Sequence, residues 1–186
     1  MLNLSRSFRP ALIPAGAILA ICLGLGGEAR AANPEAVFKG QIITSSKKIP
    51  TVAKSKNAYI SQLRKQKATR FMENKASKSW KVYYTAFFRR PLNSLEVTVK
   101  IWDVSSGSKH LMTTFEQYMD KRGAKSITSH VTLYRDDFGV NKNLMMTMES
   151  NGAVLAATRF AILGEAEKYS GQVNFSEEEA AKGTDD

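Results

Sequence analysis

A chain of 186 residues with one cysteine has no internal disulfide and no thiolate metal site, so its folded part must rest on an ordinary apolar core. The formal net charge is +10, which points to anionic partners. With an N-terminal export segment set aside, about 150 residues remain, enough for one domain burying about two-thirds of its unfolded surface.

Residues 1–10 carry Arg6 and Arg9 and no acid, residues 11–25 are apolar but interrupted by Pro14, and Glu28-Ala29-Arg30-Ala31-Ala32 follows. A positive end, a short apolar middle and an Ala-x-Ala exit predict a secretory signal over 1–32, cut after Ala31 or Ala32. The run is too short and too broken for a good membrane-spanning helix. The expected product is periplasmic or secreted. The rival reading acylates Cys22 in Leu19-Ala20-Ile21-Cys22, but the β-branched Ile21 fits a lipoprotein signal poorly, and apolar sequence runs on through Leu25.

Residues 33–79 form a basic segment. A short strand is expected at 37–43, then a polar loop at 45–56 interrupted by Pro50. Residues 57–74 read as a helix whose stripe is Tyr59, Ile60, Leu63, Phe71 and Met72, gapped at Gln66 and Lys67. The bases Lys47, Lys48, Lys54, Lys56, Arg64, Lys65, Lys67, Arg70, Lys75, Lys78 and Lys81 face Glu73 alone, so this stretch carries as much net charge as the whole chain, +10.

From Trp80 the apolar period becomes two. Strands are expected at 80–88, ended by Arg89-Arg90-Pro91-Leu92-Asn93, and at 95–101, where Leu95, Val97, Val99 and Ile101 alternate with polar residues and Trp102. Further strands fall at 110–119, 127–133 and 144–149, with a polar loop at 136–143. Asn151-Gly152 in Ser150-Asn151-Gly152 predicts a two-residue hairpin into a strand at 154–163. A last strand is expected at 169–175, and 177–186 is an acidic tail with Glu177, Glu178 and Glu179. Short connections imply antiparallel pairing, because a parallel crossover needs a dozen or more linking residues. The predicted fold of 80–176 is an antiparallel β-sandwich, immunoglobulin-like or C2-like, preceded by one short basic helix. The alternative is a small antiparallel β-barrel.

The search for chemistry yields little. His110 and His130 sit on strand faces that alternate with the apolar set, and no Gly-x-Ser-x-Gly elbow or His-Glu-x-x-His pair accompanies them. Asp136, Asp137, Asn141 and Asn143 are hard oxygen donors in one loop, but they lack the spacing of a calcium loop, and turns favour the same residues. Met112, Met119, Met145, Met146 and Met148 suit an irregular core better than a copper site. Asp103, Glu116 and Glu149 lie on separate strands with no sign of convergence. No cofactor, metal or catalytic residue is assigned.

Two binding candidates remain. Lys47, Lys48, Lys54, Lys56, Arg64, Lys65, Lys67 and Arg70 offer a cationic face to lipid headgroups, an acidic polysaccharide or an acidic envelope protein, although a lysine-rich helix is equally a solvated face. Nucleic acid is not the expected partner of an exported chain. Phe87, Phe88, Arg89 and Arg90 have the composition of an interface anchor, unless both rings are covered. The expected function is a non-enzymatic binding or assembly module of the cell envelope. The alternative is a β-barrel carrier or enzyme whose cavity is lined by Tyr83, Trp102, Tyr118 or Tyr134.

Overall fold

The computed structural model describes residues 32–166, which fold as a mainly β, two-sheet sandwich with short helices. In chain order the elements are α1 (Pro34–Val37), β1 (Ile42–Ser45), α2 (Lys56–Gln66), β2 (Arg70–Met72), β3 (Ser79–Leu92), β4 (Glu96–Asp103), β5 (His110–Tyr118), β6 (Ala124–Tyr134), α3 (Arg135–Phe138), β7 (Lys142–Ser150) and β8 (Ala153–Leu163). One sheet has the order β1-β3-β6, the other β2-β8-β7-β4-β5, and neither closes into a barrel. The segment expected to be a signal lies outside the described residues up to residue 31, Cys22 included, as do the strand expected at 169–175 and the acidic tail.

The alternation of β3 explains its central place. Trp80, Val82, Tyr84, Ala86 and Phe88 turn to one side and join Val97, Val99, Ile101, Leu144, Met146, Leu155, Phe160 and Ile162 of the larger sheet in the inter-sheet core. The Trp80 indole donates to Leu163 O at 2.9 Å, and the Tyr84 hydroxyl reaches Gln117 Oε1 at 3.3 Å, so each ring spans both layers. Burial pushes the Tyr84 phenol above its ordinary pKa. On the other side of β3, Phe87 packs with Phe38, Ile43, Ile49, Ile60 and Leu63 under α1 and α2. The three-stranded sheet is thus covered on both faces along β1 and around Phe87, and all four residues of β1 are buried.

Several elements differ from the sequence expectation, each for a physical reason. Residues 37–43 are not one strand: Asn33 caps α1 with Pro34 at its first turn, and Gly40 at φ +76° turns the chain into β1. The helix expected to reach residue 74 stops at Gln66. Lys67 turns extended, Ala68 N–H donates to Thr44 O at 2.8 Å, and Phe71 enters the inter-sheet core edge-on to Phe160. Ile60 and Leu63 belong to the other core, which no single straight helix could share with Phe71.

Strand β3 runs on through Arg89–Leu92, with its register broken between Phe87 and Leu92, where Pro91 needs no ladder partner. The loop expected at 136–143 is largely taken up by the one-turn α3, which Gly139 ends at positive φ, and by the start of β7 at Lys142, with Asn141 at positive φ between them. Pairing is antiparallel throughout except for β2 beside β8 and the Gln41–Ala157 bridge, both parallel. These partners are far apart in sequence, so no tight turn constrains their direction. The Asn151-Gly152 hairpin forms as expected, with φ +50° and +74° joining β7 to β8.

Candidate functional site

Helix α2 is short because its two ends are fixed by separate contacts. Ser55 Oγ accepts from Ala58 N–H at 3.1 Å at the start, and Lys67 N–H donates to Leu63 O at 3.0 Å at the end. Ile60 and Leu63 are its buried residues, which turn its remaining surface to solvent. Thr44 Oγ1 donates to Ala68 O at 2.7 Å, locking the helix exit against β1.

This arrangement places seven of the predicted bases on and around α2, while Arg70 stands apart on the outer side of the larger sheet. Lys47 and Lys48 follow β1, Lys54 and Lys56 precede and open α2, Arg64, Lys65 and Lys67 occupy its last turn and cap, and Arg70 opens β2. All eight are exposed, and none makes an ion pair with a carboxylate among the described residues. Arg64 and Lys65 also complement the negative end of the helix dipole, a structural role that needs no ligand.

Between β1 and α2 lies an open cleft of about 670 Å³ lined by Ser46, Lys47, Ser61, Gln62, Lys65 and Lys67. No acidic side chain lines it. Gln66 borders the same cleft, and its Oε1 is buried without a hydrogen-bond partner. Ser45, buried at the floor, accepts from Lys47 N–H at 3.0 Å. Hydroxyls, amides and ammonium groups together suit an anionic, hydroxyl-rich ligand. Lys48, Lys54, Lys56, Arg64 and Arg70 do not line the cleft.

The second predicted patch does not survive as drawn. Phe87 and Phe88 are both buried, at 2% and 3% exposure, one in each core. Only Arg89 and Arg90 reach solvent, and the Arg89 side chain lies over Gly40, where an added Cβ would fall 2.7 Å from its Nε. The oxygen donors also fail to converge. Asp136 and Asp137 are exposed on α3, Asn141 Oδ1 accepts from Gly164 N–H at 3.2 Å, and Asn143 belongs to β7. Among the described residues no three His, Asp or Glu side chains come together as metal ligands.

The aromatics expected to line a barrel cavity point to different surfaces. Tyr83 packs under the helical layer, Trp102 is half-buried on the outer face of the larger sheet, and Tyr118 and Tyr134 are largely exposed. His110 and His130 both face solvent, the latter 5.6 Å from the Tyr83 ring. Of the methionines, Met146 and Met148 are fully buried, and Met112 and Met119 pack at the core's margin.

Of the carboxylates on separate strands, Glu116 accepts from the Tyr118 hydroxyl at 2.9 Å and the other two are held by lysines. Glu149 accepts from Lys100 Nζ at 2.7 Å, and Asp103 accepts from Lys142 Nζ at 2.8 Å and from Ser105 N–H at 2.8 Å. The Lys142 hydrogen bond, with that from Ser105, holds the Asp103 carboxyl down to about 2. Sequence reasoning gave no role to Arg159. Its position in Thr158-Arg159-Phe160-Ala161-Ile162 was the available signal: with Phe160 and Ile162 turned inward, Arg159 and Ala161 must face out. No protein-family model and no curated protein matches the chain.

Proposed function

We propose that the protein is an exported, non-enzymatic binding or assembly module of the cell envelope that engages an anionic surface or an acidic envelope partner through the basic face around α2. One observation carries this reading: the eight exposed bases have no carboxylate partner among the described residues, and three of them border a polar cleft without an acid. An ordinary solvated lysine face intersperses acids with bases, whereas here Glu73 is the only acid between Lys47 and Lys81, and it is taken by Arg135. Export rests on the basic, apolar and small-residue order of 1–32.

The test is binding of the full chain to polygalacturonate and to phosphatidylglycerol vesicles across a salt series. Association is expected to weaken steeply as salt rises, because counterions compete for the same cations. The combined Lys47→Gln, Lys65→Gln and Lys67→Gln variant should bind about tenfold more weakly with an unchanged melting temperature. Binding that ignores salt, or no binding to either probe at low salt, overturns the reading.

A further inference from the structure

The outer face of the larger sheet carries a second site, built from residues that lie far apart in sequence. The strand registers place Leu111, Trp102, Met145 and Arg159 side by side across β5, β4, β7 and β8. The neighbouring row is Asn143, Ala161 and Arg70 across β7, β8 and β2. Inward burial of Ile101, Leu144, Met146, Phe71, Phe160 and Ile162 fixes the other parity, so both rows face away from the core. Adjacent strands are about 4.8 Å apart, which makes the four-residue row about 14 Å long.

Ala161 is the small residue in the middle. Around it Arg70, Arg159, Asn143 and Thr69 border a cleft of about 370 Å³. Both arginines are exposed, and neither pairs with a carboxylate among the described residues. Asp103, the nearest acid along β4, is buried on the opposite parity and held by Lys142 and Ser105. Two guanidinium groups and an amide thus surround a depression that no acid among the described residues neutralises. Directly beside Arg159 the row continues as Met145, half-buried Trp102 and Leu111, the last 51% exposed. The Trp102 indole is held in place by its N–H bond to Thr147 Oγ1 at 3.2 Å, with Lys100 Nζ 6.0 Å from the ring centroid.

We infer that this face binds a carboxylate carried on an apolar or aromatic body, as an acidic residue beside a hydrophobic one presents it in a partner protein. The carboxylate sits over Ala161 between Arg70 and Arg159, where a guanidinium fork can meet both oxygens. The attached body lies along Met145, Trp102 and Leu111. Charge complementarity selects the anion, and the apolar row excludes a freely hydrated one. The inference shares only Arg70 with the eight bases of the proposed function and no residue with the cleft beside α2, and its test separates the two.

The probe is N-acetylphenylalanine, titrated into the full chain and followed by nitrogen–proton NMR, with its primary amide and inorganic phosphate as parallel arms. The chain has two tryptophans, and Trp80 is buried in the core, so its indole signal is the internal control. The free acid is expected to shift the Trp102 indole and the amides of Ala161 and Asn143 saturably, while the amide form binds at least tenfold more weakly. Arg159→Gln and Ala161→Leu, one removing charge and the other filling the depression, should each weaken binding at least tenfold. The three-lysine variant of the α2 face should bind the acid as the parent does. Equal response to acid and amide, persistence of the response in both single variants, or tighter binding of phosphate at the same amides would each overturn the assignment.

Discussion

The two outer faces of this sandwich meet opposite fates. On the three-stranded sheet, the outward residues of β1 and β3 include Ile43 and Phe87, and α1, α2 and the loop holding Ile49 close over them. On the five-stranded sheet, the outward residues include Arg159, Trp102, Lys100 and Glu149, and no helix among the described residues covers them. A helical layer is recruited where outward positions are apolar enough for burial to offset the entropy of ordering it. Where those positions mix one tryptophan with charge, the face stays free to meet a partner.

Truncating an anchor on each face gives the sharpest contrast. Phe87→Ala should cost about 4 kcal/mol, read by denaturant unfolding, because it opens a void under α2. A loss below about 1 kcal/mol would mean that the helical layer is not held by this ring. The next largest effect concerns the tie between sheets. Arg135 Nη2 donates to Glu73 Oε2 at 2.7 Å, with Glu73 and Arg135 side chains 6% and 16% exposed, joining the end of β2 to the end of β6. Glu73→Gln removes one charge partner of the nearly buried Arg135 guanidinium, which also donates to Glu165 O, and should cost about 2 kcal/mol by the same assay. Gly164 completes this corner, since a Cβ there would lie 2.6 Å from Glu73 Oε2.

The open sheet has its own charge clamp, Asp103 with Lys142, and its effect depends on pH. The Asp103 carboxyl is depressed to about 2 in the folded protein, against about 3.9 for a free aspartate. Its contribution is therefore fully present above the unfolded value and is lost as pH falls from about 3.9 toward 2. Asp103→Asn should flatten that part of the acid-unfolding profile and cost about 1 kcal/mol at neutral pH, measured by thermal unfolding at several pH values. An unaltered acid profile would remove the clamp from the account. A comparably small effect belongs to Trp102→Ala, expected at about 1 kcal/mol because the ring is only half-buried on a face that no helix among the described residues covers. A loss as large as that of Phe87→Ala would abolish the distinction between the faces.

Much of the strand content was legible in the sequence. The alternation of Val97, Val99 and Ile101, the Asn151-Gly152 turn and the short links after Trp80 express period-two burial and positive φ, which neighbouring residues alone determine. The helix start was equally local, but its end was not. The gap at Gln66 and Lys67 marked where α2 stops, yet continuing or turning depended on whether Phe71 packs with Leu63 or with Phe160. The basic residues could be named, while their gathering around a cleft with Ser61 and Gln62 required β1 to pack beside α2.

Composition and periodicity by themselves settled that this chain builds a β-sandwich with a cationic stretch and no disulfide, because each of those properties is carried by adjacent residues. Which phenylalanine is buried, which acid meets which base, and that Arg70 and Arg159 share one depression over Ala161 were decided only by the tertiary fold. Those facts depend on strand register between segments about 90 residues apart, and register is set by how the whole core packs rather than by any local preference.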